Sequence, residues 1–264
     1  MLMEVKNHLK IMFLSFKYNL MRCMENNVAF VTSVISMILN NASFIIQWLT
    51  IFSICSNLGG YSLNDVMLFW ALSSGAYGIG HLFFNGIMRM PEYIEEGKLD
   101  AYLVMPKNTL CYLSTSSLEP SALGDLLYGY IALIIFNFSI RNILLYTVLI
   151  IFGGLIYTSF VCIVNSLTFY YYRSSILADA FRDAMLSSSL YPDVIFNRFV
   201  KIIFFVLIPS AFAVWIPVHI IMEFSMIKLL IVIGFTIFIV CLAFWVFHNG
   251  LKNYSSSNLM GARS

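Results

Sequence analysis

The stretch from Ile143 to Tyr170 reads ILLYTVLIIFGGLIYTSFVCIVNSLTFY and carries no charged side chain. At about 1.5 Å per helical residue it is long enough to cross the roughly 30 Å of hydrocarbon in a bilayer. A segment in lipid must bond its backbone groups internally, which a helix does within itself and a lone strand cannot. Comparable runs occupy Val28–Ile54, Val66–Ile87, Ser121–Ile140, Val200–Pro217 and Ile227–Phe247. Transmembrane strands would be nearer ten residues long and alternating. The expected fold is therefore all-α and integral to a membrane: one transmembrane domain over residues 1–264 with six transmembrane helices. The fifth run holds Pro209 and Pro217, which predicts a bend or a partly re-entrant course.

Composition supports this reading. Charged residues make up 11% of the chain and hydrophobic ones 60%, whereas soluble domains carry roughly 25% charged residues. So little charge leaves too little polar surface to cover a molecule in water. The net charge of +2 provides no broad basic patch for nucleic acid. The five cysteines (Cys23, Cys55, Cys111, Cys162 and Cys241) are scattered and form no CxxC pair, so they are expected to be small buried hydrophobes, with no metal site.

Charge asymmetry orients the spans. With a cytoplasmic N-terminus, thirteen of the 15 Lys and Arg residues fall on inside segments, and only Arg141 and Lys228 lie outside. That is a strong positive-inside pattern, and it favours an even number of spans with both termini cytoplasmic. The two long connections, Met88–Pro120 and Tyr171–Phe199, then face the cytoplasm. Residues 4–24 are too charged to span. Val5, Leu9, Met12, Phe13, Phe16 and Leu20 share one helical face, with Lys6, Lys10 and Lys17 along its edge, as in a helix lying in the membrane interface.

Each long connection reads as an amphipathic cytoplasmic connector. In the first, Pro91 can open a short helix, Glu92, Glu95 and Glu96 favour its N-terminal half, and Gly97 is placed to supply a left-handed cap. Lys98 and Asp100 follow, and Pro106 ends the segment. In the second, Ile176, Leu177, Ala180, Phe181, Ala184 and Met185 recur at helical spacing, and Tyr191-Pro192 turns the chain.

The string Ile94–Pro106, IEEGKLDAYLVMP, resembles a motif of type-2 ABC exporter permeases. More narrowly, the chain resembles the bacterial six-span ABC-2 family transporter proteins. Tyr191, Pro192, Ile195 and Phe196 match a second motif of that family; Ile208, Pro209, Ala211, Phe212 and Pro217 match a third, in the same order. Arg173–Leu190 matches no pattern of the family. The resemblance implies a non-catalytic permease subunit of the plasma membrane. It would pair with a second copy or a related permease and with separate cytoplasmic ABC ATPase subunits. It would hold no cofactor itself, ATP being used by the ATPase. The resemblance also implies an ATPase-coupling role for Glu92, Glu95, Glu96, Gly97, Lys98, Asp100 and Pro106. The absence of a Gly-x-x-x-x-Gly-Lys-Ser/Thr loop fits that division of labour.

Asn41, Gln47, His81, Asn85 and Asn165 lie within apolar runs. Polar groups at that depth face the bundle or a cavity, as path-lining or interhelical residues. Asp125 is expected nearer the interface, which leaves no buried carboxylate relay for a proton-coupled carrier. An intramembrane enzyme is disfavoured, since His8, His81, His219 and His248 are far apart and no His-Glu-x-x-His occurs. A six-helix secondary transporter or channel and a structural membrane-complex subunit stand as alternatives.

Overall fold

A computed structural model describes residues 2–106, 108–171 and 174–254, with side chains from residue 10 onward. The expectations placed on Lys107, Arg173 and Arg263, and on the side chains of Val5, Lys6 and Leu9, lie outside the described residues. Among the described residues the chain forms helices joined by turns and loops, with one isolated bridge between Leu58 and Tyr61 and no strand. Its helices are α1 (Leu2–Met24), α2 (Asn27–Ile54), α3 (Leu63–Phe83), α4 (Asn85–Met88), α5 (Met90–Glu95), α6 (Asp100–Leu103) and α7 (Thr109–Ser114). There follow α8 (Ser121–Asn137), α9 (Ile140–Asn165), α10 (Ser175–Leu190), α11 (Arg198–Val206), α12 (Ile216–Met222) and α13 (Met226–Leu251).

Helix starts follow their capping residues. The Ser62 hydroxyl accepts the Asp65 N–H while the Asp65 carboxylate accepts the Ser62 N–H, closing a capping box at α3. Asn26, Asn197 and Ser225 cap α2, α11 and α13 in the same way.

The centre of the bundle is α3, packed between α8 and α9. Val66, Phe69, Ala71 and Leu72 are fully buried. The close approach is set by small residues. The Tyr146 ring of α9 lies where side chains at Gly75 and Gly129 would stand, and its hydroxyl donates to the Ala71 carbonyl at 3.0 Å. Gly153 similarly leaves room for the Ala213 carbonyl.

Four helices are long and apolar enough to cross a membrane on their own: α2, α3, α9 with its 3-10 extension, and α13. The bent pair α11 and Ala211–Met222 makes a fifth candidate only if counted as one span, and α8 is shorter. The expected six is thus not reproduced by length and composition.

Contacts trace the chain from end to end. The elbow formed by α4–α7 sits at one end: the Asn165 amide of α9 donates to Ile87 O at 2.7 Å, and the Glu119 N–H donates to His81 O at 3.2 Å. At the far end, Asn137 donates to Asn64 O at 2.7 Å, and the Arg141 guanidinium lies over the Phe224 ring at 5.8 Å.

Two expectations are corrected by this path. The stretch Tyr171–Phe199 is not a connector confined to the elbow end. Ser174 bonds Thr168 beside the end of α9, whereas Tyr191 meets Trp48, and Asp193 accepts from Tyr61 at 2.7 Å in the far-end loop. Between them α10 climbs about 24 Å at 1.5 Å per residue, burying Ala178, Met185, Ser188 and Ser189. Its hydropathy is low because only one face packs on α3 and α9, while Ile176, Leu177, Asp179 and Asp183 stay exposed.

The run 200–217 is not one straight span. α11 and Ala211–Met222 meet at 87° around Pro209, whose missing N–H interrupts the ladder. Both limbs return to the far end: Lys201 bonds Asp193 at 3.0 Å and His219 lies 3.3 Å from the Tyr61 hydroxyl. The bend reaches in to Gly153, midway along α9. Arg198 and Lys201 therefore move to the far end, which thins the charge asymmetry without reversing it.

α1 lies against the elbow end. Ser15 and Asn19 both donate to the Thr115 carbonyl, at 2.6 and 2.9 Å, and Phe16 stacks on Phe83 at 4.8 Å. Lys10 and Lys17 remain exposed.

Candidate functional site

The elbow is a rigid bracket with a charged face. Met90, Ile94 and Leu99 are buried beneath it, and such side chains each contribute roughly 1.5–3 kcal/mol relative to exposure. Gly97 has φ 71°, the left-handed conformation that a Cβ disfavours. It reverses the chain so that the Leu99 N–H reaches the Tyr93 carbonyl at 3.0 Å.

Glu92 is the centre of an ion cluster. Arg89 grips it in a fork at 3.0–3.1 Å and Lys98 meets it at 3.2 Å, while Lys98 also pairs with Glu96. The Arg89 hydrogen bonds hold the Glu92 carboxyl below its usual pKa range, and Glu96 and then Glu92 raise that of the Lys98 ammonium. Surface pairs of this kind add little stability; what they fix is the direction in which the charges point. Glu95 differs, with one carboxylate oxygen buried and no partner for it among the described residues. Asp100 sits at the start of α6 and is half-buried; Pro106 is exposed. Just before Pro106, Leu103, Val104 and Met105 form an exposed apolar tip, Val104 at 82%. In the sequence, Leu99, Leu103 and Val104 form one apolar face ahead of Pro106; the structure buries Leu99 and leaves Leu103 and Val104 exposed with Met105.

The five polar residues expected inside the bundle do not gather at one place. Asn85 donates to Ser117 at 3.2 Å and Asn165 to Ile87 O; both are buried and anchor the elbow. His81 lies 3.3 Å from the Tyr157 hydroxyl and stacks on Tyr77 at 4.0 Å. Gln47 is exposed on the opposite face of α2. Asn41 donates to the Asp125 carboxylate at 2.7 Å.

That last contact corrects the expectation for Asp125. It is not interfacial but 5% exposed, in a cavity of about 240 Å³ that Asn41, Trp70, Ser73, Ser74 and Tyr77 also line. Ser74, near the middle of α3, donates to the Asp125 backbone carbonyl at 2.6 Å. The sequence hid this depth because Glu119-Pro120 precedes α8 closely, while α2, α3 and α10 surround the Asp125 cavity.

α2 carries a second polar feature. Ser36, Asn40, Ser43, Gln47, Thr50 and Ser53 recur every three or four residues and are all exposed. Ser43, Thr50 and Ser53 turn back to carbonyls of their own helix, as Ser and Thr do in apolar surroundings. The Asn40 and Gln47 amides have no partner among the described residues.

No curated protein and no solved structure matches the chain. The family described as ABC-2 family transporter protein matches residues 37–258, from within α2 to beyond α13. With the match covering most of the chain and several helices of membrane length, this multi-pass membrane protein belongs to the ABC-2 transporter family.

Proposed function

We propose that this chain is the permease subunit of an ATP-driven exporter in the plasma membrane. Two permeases enclose the path, and separate cytoplasmic ATPase subunits press on the elbow. The observation that carries the proposal is the elbow itself. It is bolted to α9 through Asn165 and to the core through Ile94 and Leu99, yet it presents a charged face and a bare apolar tip. A tip of that kind suits a protein partner. The excess of basic residues at this end supports a cytoplasmic elbow and cytoplasmic termini. The chain holds no cofactor of its own in this reading; ATP is bound and hydrolysed by the partner.

The second permease meets α2. A row of polar side chains at heptad-like spacing has no counterpart in lipid, whereas the same row on a second copy offers amide partners for Asn40 and Gln47.

The test is reconstitution with the co-purified ATPase. Glu96→Lys combined with Val104→Asp is expected to leave insertion and permease pairing intact while abolishing most substrate-stimulated ATP hydrolysis. Unchanged stimulation would remove the elbow from the coupling path. Transport into inverted vesicles is the expected direction. The buried Asp125 favours one rival, a proton-coupled carrier. That rival predicts uptake driven by a pH gradient without any ATPase.

A further inference from the structure

Among the described residues, none that lines the cavity around Asp125 is a counterion for it. Its Oδ1 accepts from Asn41, but Oδ2 is enclosed and unpartnered among the described residues. No Lys or Arg lines the space. The Trp70 indole N–H, on the same wall, is also unpartnered. A carboxylate buried at membrane depth is expensive unless it is protonated or paired with a cation.

The other lining groups indicate what that would be. Phe44, Trp70 and Tyr77 bring aromatic rings to the cavity, and a ring face attracts an organic cation desolvated against it. Ser73 and Asn40 add neutral oxygens. About 240 Å³ is more space than a bare metal ion fills and suits an ammonium group with a few carbons attached. Asn40 belongs both to this wall and to the exposed polar row of α2, so the cavity is reached from the surface that the second permease covers.

We propose that this cavity is a binding site for the cationic ammonium group of an amphipathic cargo, with Asp125 as counterion and Trp70 and Tyr77 enclosing its alkyl substituents. The proposal rests on the permease reading for the word cargo, but binding itself requires no ATPase. The two can therefore fail separately.

The experiment uses the full-length chain in nanodiscs, with hexyltrimethylammonium as probe and 1-hexanol as its neutral counterpart. Saturable binding is read by calorimetry and by the change in tryptophan fluorescence. The cation is expected to saturate the wild-type protein and hexanol not to. Asp125→Asn, nearly the same shape, should weaken the cation by roughly tenfold or more, the scale of one desolvated charge pair. Asp125→Glu should recover part of it. Equal affinity for cation and alcohol in the wild type would overturn the proposal whether or not any variant folds. So would an Asp125→Asn protein of unchanged melting temperature that binds the cation as tightly. A carboxyl that takes up and releases a proton across a pH titration while no saturable cation uptake occurs at any pH would assign Asp125 to a proton and also overturn it. Loss of ATP-driven transport with binding intact would count against the permease reading alone.

Discussion

At the residue scale, single contacts hold the far end together. Asp193 receives the Tyr61 hydroxyl and the Lys201 ammonium, and so ties the loop after α2 to α11. Burial pushes its carboxyl pKa up, but those hydrogen bonds outweigh burial and hold it below the ordinary 3.8. A group with a depressed folded pKa stabilises fully above its unfolded value, and that stabilisation disappears as pH falls through the folded one. The wild-type melting temperature is therefore expected to exceed that of Asp193→Asn at neutral pH, with the gap closing below about pH 4. A gap independent of pH would mean that the ionised carboxylate is not what holds the loop. Gly129 makes a separate case. A methyl group there meets the Tyr146 hydroxyl and the Ala71 carbonyl, so Gly129→Ala should cost about 1–3 kcal/mol by overpacking, read as a lower unfolding temperature in detergent.

At the element scale, the sequence was legible where hydropathy and function of place coincide. α2 and α13 face outward over much of their length while α9 is largely buried, and the long apolar runs of all three could be read directly. The left-handed Gly97 was legible because a glycine between a short helix and an apolar reversal has few other uses. α10 was not legible. Its Asp179, Arg182 and Asp183 read as a cytoplasmic surface, and only the contacts of its other face with α3 and α9 reveal a helix that runs from one end of the bundle to the other. The same holds for the hairpin after it, whose apolar length mimics a span although Phe196 stacks on Trp215 at 5.5 Å to fold the limbs together. A paired labelling experiment separates the two topologies. With native cysteines replaced, Val104→Cys and Val194→Cys are expected to react with a membrane-impermeant maleimide from opposite sides. Labelling from the same side would restore the cytoplasmic connector.

At the scale of the whole molecule, the bundle is unevenly built. Its middle, α3 with α8 and α9, is dense, while α2 is held along one side only and shows Val28, Ile35, Leu39, Ile46 and Leu49 outward. A second copy is the expected cover for the polar part of that surface. Asn40→Leu combined with Gln47→Leu should shift the purified protein from dimer toward monomer on size-exclusion chromatography with light scattering, with little change in its own melting. Asp125 shows why the site was harder to read than the fold: a lone acid near a helix start looks solvated until three neighbouring helices are laid over it. The course of α10 along the bundle, with one face packed and its acids exposed, also bears on how the protein is made. At roughly 2.5–3.5 kcal/mol for each Asp or Arg at a helix centre, α10 is a poor candidate for lateral release into lipid as it leaves the ribosome. It gains its place by packing Ala178, Met185, Ser188 and Ser189 against α3 and α9, so its insertion is expected to follow theirs.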